Sequence, residues 1–121
     1  EILIGLVGSE MCIRDSIEGV VSACSLKDAY YILTKQAGEA RAREVVRDCL
    51  KSYSVEPLDQ EACFTSAYSD EPDFEDGCIR AMAERAGVDF IITRDRAAFV
   101  RSTIKTFSPA EFIRAFPIPE E

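Results

Sequence analysis

The chain has 121 residues, 47% of them apolar, a formal charge of −8, and five cysteines but no histidine. That length bounds it to one domain around a single core, and no apolar run approaches the ~20 residues of a membrane span. The missing imidazole excludes Ser-His-Asp, Cys-His and His-metal chemistry, so any catalysis rests on carboxylates or a metal; the acidity argues against wholesale phosphate binding and suits a cation site or a basic partner.

The start, Glu1-Ile2-Leu3-Ile4-Gly5, lacks the basic region of a signal peptide, so the cytoplasm is the expected location. Residues 6–16, Leu6-Val7-Gly8-Ser9-Glu10-Met11-Cys12-Ile13-Arg14-Asp15-Ser16, carry neither a helical nor a strand period. They resemble the in-frame translation of a transposase adaptor used in DNA library preparation. On that reading residues 1–16 are an artefactual segment and the natural protein starts upstream of Ile17. The folded domain is then expected over 17–116, with 117–121 a frayed tail.

Gly19 to Cys24 reads as a buried strand. Ser25 is placed to cap a helix from Leu26 to Ala37, and Gly38 to stop it. A second helix is predicted from Glu39 to Tyr53, because Ala42, Val45, Val46, Cys49, Leu50 and Tyr53 recur at helical spacing. Ser54-Val55-Glu56-Pro57 reads as a short edge strand, since proline cannot donate to a ladder. Asp59 opens a helix to Tyr68, and Asp73 caps another that reaches Ala86 and ends at Gly87. Val88 to Thr93 is the clearest strand. A short helix (Arg96 to Arg101) and a weak strand (Ile104 to Phe107) follow. Ser108-Pro109-Ala110-Glu111 combines an N-cap, proline at the first helical position and a capping-box glutamate.

Strands alternating with helices imply a parallel sheet covered on both faces, with functional residues at the C-terminal strand ends. The cysteines Cys12, Cys24, Cys49, Cys63 and Cys78 form no C-x-x-C pair and sit among apolar neighbours, so reduced, buried thiols are expected.

Three carboxylates stand at those strand ends. Asp28 lies one turn into the helix after the first strand, Asp76 one turn into the helix opened by Asp73, and Asp95 just beyond Val88–Thr93. Clustered carboxylates repel one another unless a cation lies between them, and a hard ion such as Mg²⁺ or Mn²⁺ prefers such oxygen ligands. The plainer reading is local: Ser25-x-x-Asp28 and Asp73-x-x-Asp76 both have capping-box spacing, and Asp95 is placed to cap the next helix.

Four segments share a further likeness. Ser25-Leu26-Lys27-Asp28-Ala29-Tyr30-Tyr31-Ile32-Leu33, Asp73-Phe74-Glu75-Asp76-Gly77-Cys78, Phe90-Ile91-Ile92-Thr93-Arg94-Asp95 and Phe107-Ser108-Pro109-Ala110-Glu111-Phe112 resemble, in order and spacing, motifs of the PIN-domain family, and within it VapC-like toxin ribonucleases. Gly77 stands where alanine is usual. The resemblance implies a three-layer α/β/α fold with a parallel sheet ordered 3-2-1-4-5, whose authentic first, central strand is missing here.

It also implies a Mg²⁺- or Mn²⁺-dependent endoribonuclease, the toxin of a type II toxin–antitoxin pair, with an RNA substrate, a cognate antitoxin partner and a homodimeric state. Asp28, Asp76 and Asp95 take the places of three of the four metal-holding acids. Thr93 orients Asp95 or a bound water, Asp73 supports from behind, and Arg94 and Arg96 are possible RNA contacts, or plain surface arginines beside a turn. Glu75 is a further supporting candidate, with a solvated face as the plainer reading. Ala98 stands where an accessory acid is common, and no "D-T-N"-like first strand exists; Ile2-Leu3-Ile4 is the nearest filler, with Gly5 at the aspartate's place. The chain as written is therefore expected to be inactive. A non-catalytic PIN-like protein-binding module is the alternative. A receiver-type phosphoacceptor fits less well, because Lys105 precedes its strand core.

Overall fold

The computed structural model describes residues 4–7 and 18–115, with the side chains of residues 4–7, 18 and 96 left aside. Five strands form one sheet in the order β3-β2-β1-β4-β5. They are β1 (Ile4–Val7), β2 (Glu18–Ser22), β3 (Tyr53–Glu56), β4 (Phe90–Ile92) and β5 (Lys105–Phe107). The helices are α1 (Ala23–Ala37), α2 (Glu39–Ser52), α3 (Gln60–Ala67), α4 (Phe74–Ala86) and α5 (Pro109–Ala115), with a 3₁₀ turn over Arg96–Phe99. This is an α/β fold.

The sheet is not wholly parallel. β2 pairs parallel with β3 and β4 parallel with β5. The central β1 runs antiparallel to both neighbours, with Ile4 opposite Val21 on one side and Ile92 on the other. The connection explains the direction: only residues 8–17 separate β1 from β2, and a parallel partner would need a crossover of a dozen or more residues. The slot expected to stand empty is thus filled, and Leu6 and Val7, the first residues of the suspected adaptor segment, lie within β1. The rest of that segment and the 117–121 tail lie outside the described residues.

Local punctuation follows the side chains. Gly38 (φ 89°) and Gly87 (φ 69°) end α1 and α4 in the region that L-residues avoid. Asp59 and Asp73 cap α3 and α4 by accepting N–H bonds from Ala62 and Asp76. At α5 the capping box is complete: Ser108 Oγ accepts from Glu111 N–H at 3.1 Å and Glu111 Oε1 from Ser108 N–H at 2.8 Å.

One boundary differs from the expectation. α1 is capped by Ser22, whose hydroxyl accepts the Ser25 N–H at 3.0 Å, so the strand stops at Ser22 and the helix begins at Ala23. Both serines have cap chemistry; the earlier one wins because it lets Cys24 and Ser25 bury against the sheet. Toward the C-terminus β4 is shorter than expected, and the helix expected to reach Arg101 closes as the 3₁₀ turn at Phe99.

α4 carries the core stripe, Cys78, Ile79, Met82 and Ala83, against Ile91 of β4, Val88, Phe99, Cys24 and Ala62. α3 comes close enough to α4 that a Cβ on Gly77 would stand 2.1 Å from Ser66 Oγ. Ser66 uses that hydroxyl to bond the Phe74 carbonyl at 2.7 Å. Arg85 ties the end of α4 to Glu56 and Asp59. Arg80 holds the buried Glu71 carboxylate at 2.9 Å, pinning the loop that leads into α4.

Candidate metal centre

The start of α4, the second turn of α1 and the loop after β4 converge on one rim of the sheet. There a cavity of about 100 Å³ is lined by Asp28, Glu75, Asp76, Ile79, Thr93, Asp95, Ala98 and Phe99. At about 30 Å³ per liquid water, that space takes a few water-sized groups. Asp28, Asp76, Asp95 and Thr93, separated along the chain, therefore meet at one place.

Each acid arrives by a different route. Asp28 is the sixth residue of α1, and no acid occupies that helix's first turn, so the capping-box reading fails for it. Its partner is Lys27, with Nζ 3.3 Å from Oδ1. Asp76 is the third residue of α4, and its N–H bonds Asp73 Oδ1 at 2.9 Å. Asp73 thus sets the first turn from which Asp76 projects, and does not itself line the cavity. Asp95 does cap the 3₁₀ turn, accepting from Ala98 N–H at 3.3 Å. Thr93 is buried, and its Oγ1 accepts the Asp95 N–H at 3.0 Å, fixing the backbone that carries this carboxylate.

The electrostatics match the geometry. Burial, and then the negative charges of Asp73, Asp95, Glu71 and Glu75, push the Asp76 carboxyl above its ordinary value. Lys27 is held protonated by its hydrogen bond to Asp28, with Glu75 adding to the effect. Burial foremost, with help from Glu75, pushes the neighbouring Cys24 thiol up. The four described cysteines are free.

Lys27 was missed from sequence, and Glu75 fits both of the roles expected of it. Glu75 is exposed yet borders the cavity, because α4 points its first turn at the rim and carries consecutive residues there. Lys27 gave no signal beyond its place beside Asp28. Ala98 and Phe99 complete an apolar back wall with Ile79, so Ala98 faces the site where an accessory acid was looked for. Arg94 is exposed and does not line the cavity; the Arg96 side chain lies outside what is described.

All the polar donors at this rim are oxygens, which suits a hard divalent ion over a soft one. Among the described residues, no three or more His, Cys, Asp or Glu side chains close on one point as a metal-holding group. The carboxylates instead surround a space large enough for water. That arrangement fits an ion that keeps part of its hydration shell and takes one or two carboxylates directly, as Mg²⁺ does.

A family model described as the PIN domain matches residues 9–97. The chain belongs to the PIN-domain family. The match takes in every acid of the cavity and Thr93, and stops short of Ala98 and Phe99. No curated protein and no solved structure matches the chain. The PIN domain is a nuclease-type fold, and among the described residues no helix is long and apolar enough to cross a membrane.

Proposed function

We propose that this PIN domain is a metal-dependent endoribonuclease, of the toxin class that an antitoxin protein holds in check. The observation that carries the reading is the cavity shared by Asp28, Asp76 and Asp95, which come from three separate elements onto one rim. An ion bound there would supply Lewis-acid activation of water and offset charge building on the phosphodiester.

The residues divide the work. Asp28, Asp76 and Asp95 would hold Mg²⁺ or Mn²⁺. Thr93 holds the Asp95 backbone, and Asp73 the first turn of α4. Ile79, Ala98 and Phe99 keep water from the back of the site. Asp76, already crowded by four negative neighbours, gains most from a cation.

Because the chain as written lacks the first-strand acid, the test is cleavage of single-stranded RNA with Mg²⁺ or Mn²⁺ by the chain carrying a carboxylate at that place (Gly5→Asp), and by Asp76→Asn and Asp95→Asn in the same background. Divalent-dependent cutting that both substitutions abolish supports the reading; cutting that survives both overturns it. One observation favours a second reading, a non-catalytic binding module: the central strand delivers no described carboxylate to the rim. Divalent uptake without cleavage selects that alternative. The toxin role extends to a partner, tested by co-purification with the product of the adjoining gene.

A further inference from the structure

We propose that Lys27 is the exchangeable counter-ion of this cavity: it neutralises Asp28 until a divalent ion arrives, and then pairs with a phosphate of the RNA. The inference deepens the ribonuclease reading and rests on it.

Its placement is particular. Lys27 Nζ lies 3.3 Å from Asp28 Oδ1, and the lysine side chain is 60% exposed against 34% for the aspartate, so the cation stands on the solvent side of the acid. Lys27 also lines an apolar groove between α1 and α2 with Leu26, Tyr30 and Val46. The ammonium meets the cavity through Asp28, the lining acid it pairs with.

Three arginines are committed elsewhere. Arg43 is held by Glu39, Arg80 by Glu71 and Glu84, and Arg85 by Glu56 and Asp59. Among the described side chains, Lys27 is the cation paired with a cavity acid.

The energetics allow exchange. An exposed pair between chain neighbours is weak, so a doubly charged ion displaces the lysine readily. The freed ammonium sits on a flexible four-carbon stem, beside a mouth otherwise ringed by the carboxylates of Asp28, Glu75, Asp76 and Asp95. RNA approaching that ring needs a cation there to meet its phosphates.

The experiment compares wild type, Lys27→Met, Lys27→Arg and Asp76→Asn in two titrations, with melting curves to confirm folding. Calorimetric Mn²⁺ titration of the RNA-free chain should show Lys27→Met binding about two- to fivefold more tightly, the fold-change equivalent of that weak pair. Anisotropy of a labelled single-stranded RNA with Mn²⁺ present, the RNA checked as intact afterwards, should show weaker binding by Lys27→Met. Its salt dependence should flatten by about 0.7 in log–log slope, one phosphate contact on a single strand. Lys27→Arg should keep the wild-type slope. Unchanged Mn²⁺ affinity or an unchanged slope in Lys27→Met overturns the proposal. If Asp76→Asn weakens Mn²⁺ binding while Lys27→Met leaves it alone, Lys27 falls and the ribonuclease reading stands. If the wild type takes up no Mn²⁺, or Asp76→Asn does not affect uptake, both fall together.

Discussion

Replacing Gly77 by alanine isolates the contact that sets the approach of α4 to α3, and with it the position of Asp76. In an open helix interior the change would stabilise by about 1 kcal/mol. Here the new Cβ would stand 2.1 Å from Ser66 Oγ, 3.1 Å from Ser66 Cβ and 3.3 Å from Glu71 Cβ. Rotating the serine hydroxyl away relieves the worst contact but gives up its 2.7 Å bond to the Phe74 carbonyl, a loss of about 0.5–1.5 kcal/mol. The remaining crowding adds the cost of overpacking, about 1–3 kcal/mol. The propensity gain is outweighed, and Gly77→Ala should destabilise by about 1–3 kcal/mol. Ser66→Ala removes the oxygen that collides and leaves a contact needing only a few tenths of an ångström. The double variant should therefore be more stable than Gly77→Ala alone, with a coupling energy of about 1–2 kcal/mol. Urea unfolding followed by circular dichroism measures all four corners of the cycle. Additive effects, or a Gly77→Ala variant stabilised by the open-helix amount, would refute the idea that serine and glycine are size-matched. Mn²⁺ affinity should weaken in Gly77→Ala and recover in the double variant, because Asp76 precedes Gly77 directly.

The remaining expectations concern the same rim and the buried thiols. The folded-state pKa of Asp76 is raised, by burial and then by its acidic neighbours, so wild type keeps its full stability below the ordinary carboxylate value and loses some as pH climbs through the raised one. Asp76→Asn should therefore be more stable than wild type at neutral pH and equal to it in acid, as thermal melts across pH would show, while binding Mn²⁺ more weakly. Ala98→Asp adds a carboxylate to the cavity wall and should strengthen Mn²⁺ binding about thirtyfold, since a solvated charge contact of about 1 kcal/mol per unit charge acts here on a divalent ion, about 2 kcal/mol in all; calorimetry reads it directly. Cys24 and Cys78 are buried with raised pKa values, so a thiol-alkylating reagent should modify the half-buried Cys49 and Cys63 first and reach the other two only on unfolding, as mass spectrometry would resolve.

Punctuation was legible in the sequence because it is local chemistry. Gly38, Gly87, Asp59, Asp73 and the Ser108-Pro109-Glu111 set each act within a turn of themselves, and each sits where its residue type predicts. Ser22 and Ser25 could not be separated that way: both can cap, and the choice depends on how deeply Cys24 and Ser25 bury against elements far along the chain. β4 came out shorter than the apolar run Val88–Thr93 because its length is set by partners: β5 offers three residues and β1 pairs only as far as Phe90–Ile92. Glu75 stayed between two readings for a related reason. A period shows which residues share a helix face, and an exposed first-turn glutamate looks the same whether that turn faces open solvent or the mouth of a cavity.

The direction of β1 ties the fold to the chemistry. Asp28 follows β2 and Asp95 follows β4, and β1 lies between these two strands. A parallel β1 would bring its C-terminal end to the acidic rim, midway between the two groups. The antiparallel β1 brings Ile4 there instead, opposite Val21 and Ile92, and sends Val7 to the far edge beside Glu18. Among the described residues no carboxylate reaches the rim from its centre, and the acids that do arrive come from the flanks. That accounts for a cavity in which Asp76 feels the charge of Asp95, Glu75 and Asp73 while no three acids close on a single point. Flanking carboxylates with an open centre would leave most of an ion's hydration shell in place, so on the proposed reading affinity would depend on net charge around the rim more than on tight ligation. A site governed by net charge responds to each added or removed unit, which is why Lys27 and Ala98, neither of them a metal ligand, are the positions where a single substitution should move divalent affinity in opposite chemical ways to the same end.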